Sequence, residues 1–152
     1  MPRRLGISIA IAVLALVAAI LIWQNLPSVA VHVAAARAHV NASMPGYTPS
    51  GYSFTNPIKY ENGSLTMQYV DKSHSSDGFA LTQTASNWDS SSLAANALPK
   101  NAPVQTSQVN GTTVYIYGTT NNATWVNNGV LYSLKNKANL SSDQVMKIVQ
   151  GL

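Results

Sequence analysis

From Leu5 to Trp23 the chain runs nineteen residues without a charge, and nearly all of them are apolar. As a helix rising ~1.5 Å per residue this stretch spans about 28 Å, close to the ~30 Å hydrocarbon core of a bilayer. Beyond it the pattern changes. Asn, Ser and Thr become frequent, and apolar positions alternate with polar ones instead of forming one block. Arg3 and Arg4 precede the apolar run and no basic residue follows until Arg37. The positive-inside rule therefore predicts a single-pass plasma-membrane protein, with residues 1–4 cytoplasmic and the rest outside. Trp23 suits the outer interface.

Two other readings of the N-terminus fit less well. Ala34-Ala35-Ala36 and Ala36-Arg37-Ala38 offer small-x-small cleavage sites, but they lie more than ten residues past the apolar run. The run is also longer than the ~7–15 residues of a signal-peptide core. A pilin-like N-terminus cut after Gly6 calls for Glu five positions into the mature chain, where Ile11 stands.

Pro27 favours a break or a new helix start. Val29, Val33, Ala36 and Val40 then recur at helical spacing, which predicts a short helix with one weak apolar face. Pro45, Gly46, Pro49 and Gly51 mark a loop. The expected organisation is an anchor over residues 1–26, a helical stalk or linker over 27–46, and a folded domain over 47–152.

In that domain the period becomes two. Three Asn-Gly pairs, Asn62-Gly63, Asn110-Gly111 and Asn128-Gly129, each sit between alternating segments. Asn-Gly favours the type I′ turn of a tight hairpin. Strands are predicted over 52–60, 64–71, 79–86, 104–109, 112–118, 124–127 and 130–135. Pro57 places the first strand at an edge or at a bulge. A helix starts at Asp89 as N-cap, with Leu93, Ala94, Ala97 and Leu98 on its apolar face, and stops at Pro99. A second starts at Ser141 with Gln144 as its capping-box partner and Leu140/Val145 as staple. It turns Val145, Met146 and Val149 inward and ends at Gly151. The predicted fold class is α+β: an N-terminal transmembrane helix followed by an antiparallel, seven-stranded, hairpin-built sheet with two packed helices.

Composition narrows the chemistry. There is no cysteine, so disulfides and thiolate metal sites are excluded. The formal charge of +4 is spread thinly, without a basic run or helix face, which argues against nucleic acid as a partner. His32 and His39 lie seven apart, roughly 10 Å along a helix, too far to share a metal ion. His74 stands among Asp71, Ser75, Ser76 and Asp77, a set that invites a Ser/His/Asp reading. All lie in one short polar loop beside Gly78, with no predicted oxyanion hole. Only five acidic residues exist, and apart from Asp71/Asp77 none are close in sequence. No enzyme activity, metal or cofactor is expected.

Aromatics are the stronger signal. Tyr115 and Tyr117 alternate with Val114 and Ile116, so one of the two faces is a candidate groove. Tyr52, Trp88, Tyr115, Tyr117 and Trp125 are the candidate binding residues, suited to a peptide, glycan or lipid. Asn41, Asn62, Asn110, Asn122 and Asn139 open Asn-x-Ser/Thr sequons, relevant only where a host glycosylates.

Several blocks then carry a resemblance. They are Pro45-Gly-Tyr-x-Pro-x-Gly-Tyr-Ser-Phe54, Pro57-Ile-x-Tyr60, Leu81-Thr-Gln83 and Ser86-x-Trp-Asp-Ser90. They continue in Gly111-Thr-x-Val-Tyr-Ile-Tyr-Gly118 and Ala123-Thr-Trp-Val-Asn-Asn-Gly-Val-Leu-Tyr132. In these blocks the region from about residue 46 to residue 152 resembles the bacterial family called domain of unknown function 4367. The resemblance implies a domain outside the membrane in a single-pass protein. It also implies a link, seen in some members of that family, to anti-sigma-factor architectures with a regulatory domain inside, and a likeness in outline to periplasmic sensor and lipoprotein-handling domains. It supplies no catalytic residues. With Met1 as the start, four residues precede the span and no inside domain is expected to hold a sigma factor. Either signalling runs through a membrane partner, or the start lies further upstream, or the protein is not a sensor.

The expected function is a non-catalytic extracytoplasmic binding or sensing domain on a single membrane anchor, with the bilayer and a membrane or envelope protein as partners. The alternative is an envelope carrier of lipid or another apolar ligand, which calls for an apolar cavity between sheet and helices.

Overall fold

A computed structural model describes the backbone from Pro2 to Leu152 and the side chains of residues 13–20 and 26–152. The first element is a long helix, α1 (Pro2–Ala38). Strands β1 (Tyr52–Glu61), β2 (Ser64–Asp71) and β3 (Gly78–Ala85) follow, then α2 (Ser90–Asn96). The chain continues through β4 (Val104–Val109), β5 (Thr112–Tyr117), β6 (Asn122–Asn127) and β7 (Val130–Asn136), and closes with α3 (Ser142–Gln150). All seven strands join one sheet in the order β1-β2-β3-β7-β6-β5-β4. Every neighbouring pair is antiparallel. This is the α+β class expected.

The hairpins form where the Asn-Gly pairs stand. Asn110 and Gly111 have φ of 47° and 80°, and Asn128 and Gly129 have 48° and 77°. Positive φ at both central residues is what a type I′ turn requires. At Asn62-Gly63 only the glycine is left-handed. Its N–H turns instead to the Ala38 carbonyl at 2.6 Å, tying the hairpin to the end of α1. Strand β1 is an edge, and its register shifts between Thr55 and Lys59, around Pro57.

Alternation gives the sheet an apolar inner face. Leu65, Met67, Tyr69, Phe79, Leu81, Val114, Ile116, Ala123, Trp125, Tyr132 and Leu134 are all buried there. Helix α3 contributes Val145, Ile148 and Val149 to the same core. Ile148 takes the inward place expected of Met146, which is only half-buried. The capping box of Ser141 and Gln144 forms as predicted.

Helix α1 departs from expectation. It runs through Pro27 without interruption. A proline inside a helix costs about 3 kcal/mol through its lost donor and its ring clash. Burial of the next turns opposes that cost: Val31, Ala34, Ala35 and Ala38 join the core, followed by Val40 and Ala42. Residues 31–42, expected as stalk, are thus part of the packed domain. The small alanines let the helix lie close to β1 and β2. The expected span over Leu5–Trp23 falls largely on residues whose side chains lie outside those described. Among the described residues no helix is long and apolar enough to cross a membrane.

Helix α2 lies on the opposite face. Its Leu93 is fully buried yet separate from the main core. The Tyr115 hydroxyl, which projects from that outer face, donates to Ser90 O at 3.2 Å. Asp89 caps α2 by accepting from Ser92 N at 2.7 Å.

Candidate functional site

The outer face is built from the polar half of each alternating strand. Register aligns Lys59, Thr66, Thr82, Ser133, Thr124, Tyr115 and Thr106 in one row across the seven strands. Neighbouring hydroxyls bond to each other: Thr66 to Thr82 at 2.9 Å, and Ser64 to Thr84 at 3.1 Å. Helix α2 covers the β5–β6 side, which leaves the β2-β3-β7 side open.

A cleft of about 370 Å³ lies at one end of this open side. Register places Ala80 between Gln68 and Lys135, and Gly78 opposite Val70. Two small residues in succession on the outer face of β3 make the floor. Gln68 and Val70 form one wall, Lys135 and Lys137 the other, and Ser75, Ser76 and Asp77 close the end. Gly78 is required for a steric reason: a Cβ there would lie 2.1 Å from the Tyr69 carbonyl oxygen. Asp77 Oδ1 accepts the Ser76 hydroxyl at 3.1 Å. Among the described residues neither lysine ammonium has a hydrogen-bond or ion-pair partner. Sequence reasoning passed over this site because its lysines are not a run. They converge with the loop only through the β3–β7 pairing.

The five aromatic candidates do not share a groove. Trp125 is 1% exposed and stacks on Tyr132 at 4.9 Å, so it is core and closed to any ligand. Tyr52 belongs to the inner face, edge-on to Phe79 at 5.7 Å, and donates its hydroxyl to Ala138 O at 3.1 Å. Burial, helped by the charges of Asp71 and Asp77, pushes its phenol up. Tyr115 and Tyr117 lie on the outer face, and burial raises Tyr117 as well. Trp88 stands before α2 and is 40% exposed. Strand parity separates Tyr52 and Trp125 from the other face, and parity alone did not say which face was covered.

The loop around His74 lacks triad geometry. Ser73 donates its hydroxyl to Asp71 Oδ1 at 2.5 Å, and its Oγ lies 3.1 Å from His74 Nδ1. The serine at His74 is thus Ser73 and not the expected Ser75 or Ser76, and it contacts the acid directly, where a triad places the histidine between them. The Ser73 hydroxyl and amide hold the Asp71 carboxyl below its ordinary range. All three side chains are exposed or nearly so. Among the described residues no three His, Asp or Glu side chains gather as a metal site.

Inside, polar groups serve the architecture. Gln83 is fully buried and accepts from Ser43 N at 3.0 Å while donating to Ser43 O at 2.6 Å. Asn136 is 3% exposed. Its amide nitrogen donates to Thr120 O and its Oδ1 accepts from Ala138 N, which joins the β5–β6 loop to the approach of α3. Side chains fill the layer between sheet and helices, where a lipid-carrier reading needs its cavity: Leu65, Met67, Leu81, Leu134, Val145 and Ile148 are all fully buried.

The family described as Domain of unknown function (DUF4367) matches residues 43–152. The chain belongs to this family. No curated protein and no solved structure matches the chain. The DUF4367 match begins at Ser43, the residue that Gln83 clamps. The residues that complete its core from α1, Val31 to Ala42, lie ahead of the matched region.

Proposed function

We propose that this chain is a single-pass membrane protein whose DUF4367 domain is a non-catalytic, extracytoplasmic binding or sensing module. The observation that carries the reading lies on α1. Val13, Leu14, Leu16, Val17 and Ile20 are all at least 48% exposed along a helix that continues into the domain core. A run of large exposed apolar side chains needs a partner other than water. The length and charge flanks of Leu5–Trp23 suit a bilayer, with the N-terminus inside.

The junction favours sensing over simple tethering. Val31 and Ala38 are fully buried, Gly63 N–H holds the last turn of α1, and Arg37 Nη1 donates to the Tyr60 hydroxyl at 3.2 Å. A displacement of the β1–β2 hairpin is thereby passed to the helix. A membrane or envelope protein is the expected receiver.

Two fractionation measurements test this reading. Alkaline carbonate should leave the full chain in the membrane pellet, and external protease should digest residues 43–152 on intact spheroplasts. Release by carbonate, or protection of the domain, overturns it.

A further inference from the structure

The cleft on the outer face has a charge and a shape that name a ligand class. Lys135 stands on β7 and Lys137 follows one residue past its end, and both line the cleft. Pairing with Ala80 holds Lys135 there, and beyond the strand Lys137 N–H donates to Gly78 O at 2.9 Å. Gly78 and Ala80 keep that floor open. The volume of about 370 Å³ lies in the range of small-molecule sites.

Both lysines line this cleft, and among the described residues neither ammonium has a carboxylate partner. The charged side chain facing them is Asp77, at the loop end. Lysines in one hollow favour an oxyanion, while Asp77 leaves a net charge of only one and repels further negative charge. The Gln68 amide and the Ser75 and Ser76 hydroxyls stand around the same space as hydrogen-bonding groups.

We infer that this cleft binds a small solute through a single carboxylate group seated between Lys135 and Lys137, with Asp77 discriminating against dianions. The inference rests on reading the domain as a binding module, and it holds whether or not α1 crosses a bilayer. The protease and carbonate measurements therefore fail separately from the test below.

The full chain, ¹⁵N-labelled in mild detergent, is titrated at neutral pH with N-acetylglycine, with its uncharged amide, and with inorganic phosphate. N-acetylglycine should give saturable shifts at the amides of Gln68, Gly78, Ala80, Lys135 and Lys137, and the uncharged amide none. The double variant K135Q/K137Q should weaken the interaction about tenfold or more while keeping the dispersed spectrum of the folded domain. D77N should bind phosphate severalfold more tightly than the parent chain. Any of four results overturns the inference: no saturation with N-acetylglycine, equal shifts with the uncharged amide, an unchanged titration in K135Q/K137Q, or tighter binding of phosphate than of N-acetylglycine by the parent chain.

Discussion

Gln83 gives Ser43 the two hydrogen bonds that a neighbouring strand would give it. Its Oε1 accepts the Ser43 N–H at 3.0 Å and its Nε2 donates to the Ser43 carbonyl at 2.6 Å. The segment joining α1 to β1 is thereby pinned across the inner face of β3. The Gln83→Leu variant removes both bonds and leaves the backbone donor and acceptor of half-buried Ser43 without them. A loss of about 3 kcal/mol is expected. Urea unfolding of the full chain in mild detergent measures it, and a change below about 1 kcal/mol would show that the clamp is dispensable.

Tyr69 presents the opposite case. Its ring stacks on Phe79 at 4.6 Å and meets Phe54 edge-on at 5.8 Å, but its buried hydroxyl has no partner among the described residues. Desolvation drives its phenol far up. The Tyr69→Phe variant keeps the ring contacts and removes an unsatisfied polar atom. Stability should stay level or rise by about 1 kcal/mol. A loss larger than that would reveal a hydrogen bond to the phenol in solution.

Asp89 links α2 to pH. Backbone and hydroxyl donors of Ser92 and Ser91 lower its carboxyl to about 2. A carboxyl depressed by folding contributes stability above its unfolded value, near 3.9, and loses it as pH falls through the folded value. The start of α2 should loosen between about pH 4 and pH 2. Amide exchange in α2 across that range gives the measurement. Asp89→Asn keeps a capping side chain without the titration, so exchange in α2 that stayed equally acid-sensitive in that variant would discard the account.

Gly78 should resist any side chain. A Cβ there would meet the Tyr69 carbonyl oxygen at 2.1 Å and the Val70 Cα at 3.2 Å, both backbone atoms. The Gly78→Ala variant has to push β2 and β3 apart at the cleft, at a cost of about 2 kcal/mol or more. Urea unfolding reports the cost, and an unperturbed midpoint would contradict the close approach.

Much of this domain follows from the sequence by itself. Its elements were legible because each rests on local chemistry. Alternation set seven strands, Asn110-Gly111 and Asn128-Gly129 set two type I′ hairpins, and Ser141 with Gln144 set the start of α3. These signals act over a few residues, and backbone sterics read them the same way in any fold. The apolar run at Leu5–Trp23 and its arginine flanks are likewise properties of the chain alone.

Tertiary structure decided what those elements meet. Hairpin signals join neighbours in sequence, but the β3–β7 pairing closes two meanders into one sheet and has no local code. That pairing brings Lys135 and Lys137 to the Ser75–Asp77 loop, so the cleft exists only in three dimensions. It was also burial against β1 and β2 that carried α1 past Pro27 and turned an expected stalk into core. The aromatic candidates divided for the same reason. Period two says that Trp125 and Tyr115 can lie on opposite faces, but only the placement of α1 and α3 on one face and α2 on the other decides which is buried. Local propensity chooses the conformation of each segment, whereas the removal of apolar surface from water, summed over distant segments, chooses their partners.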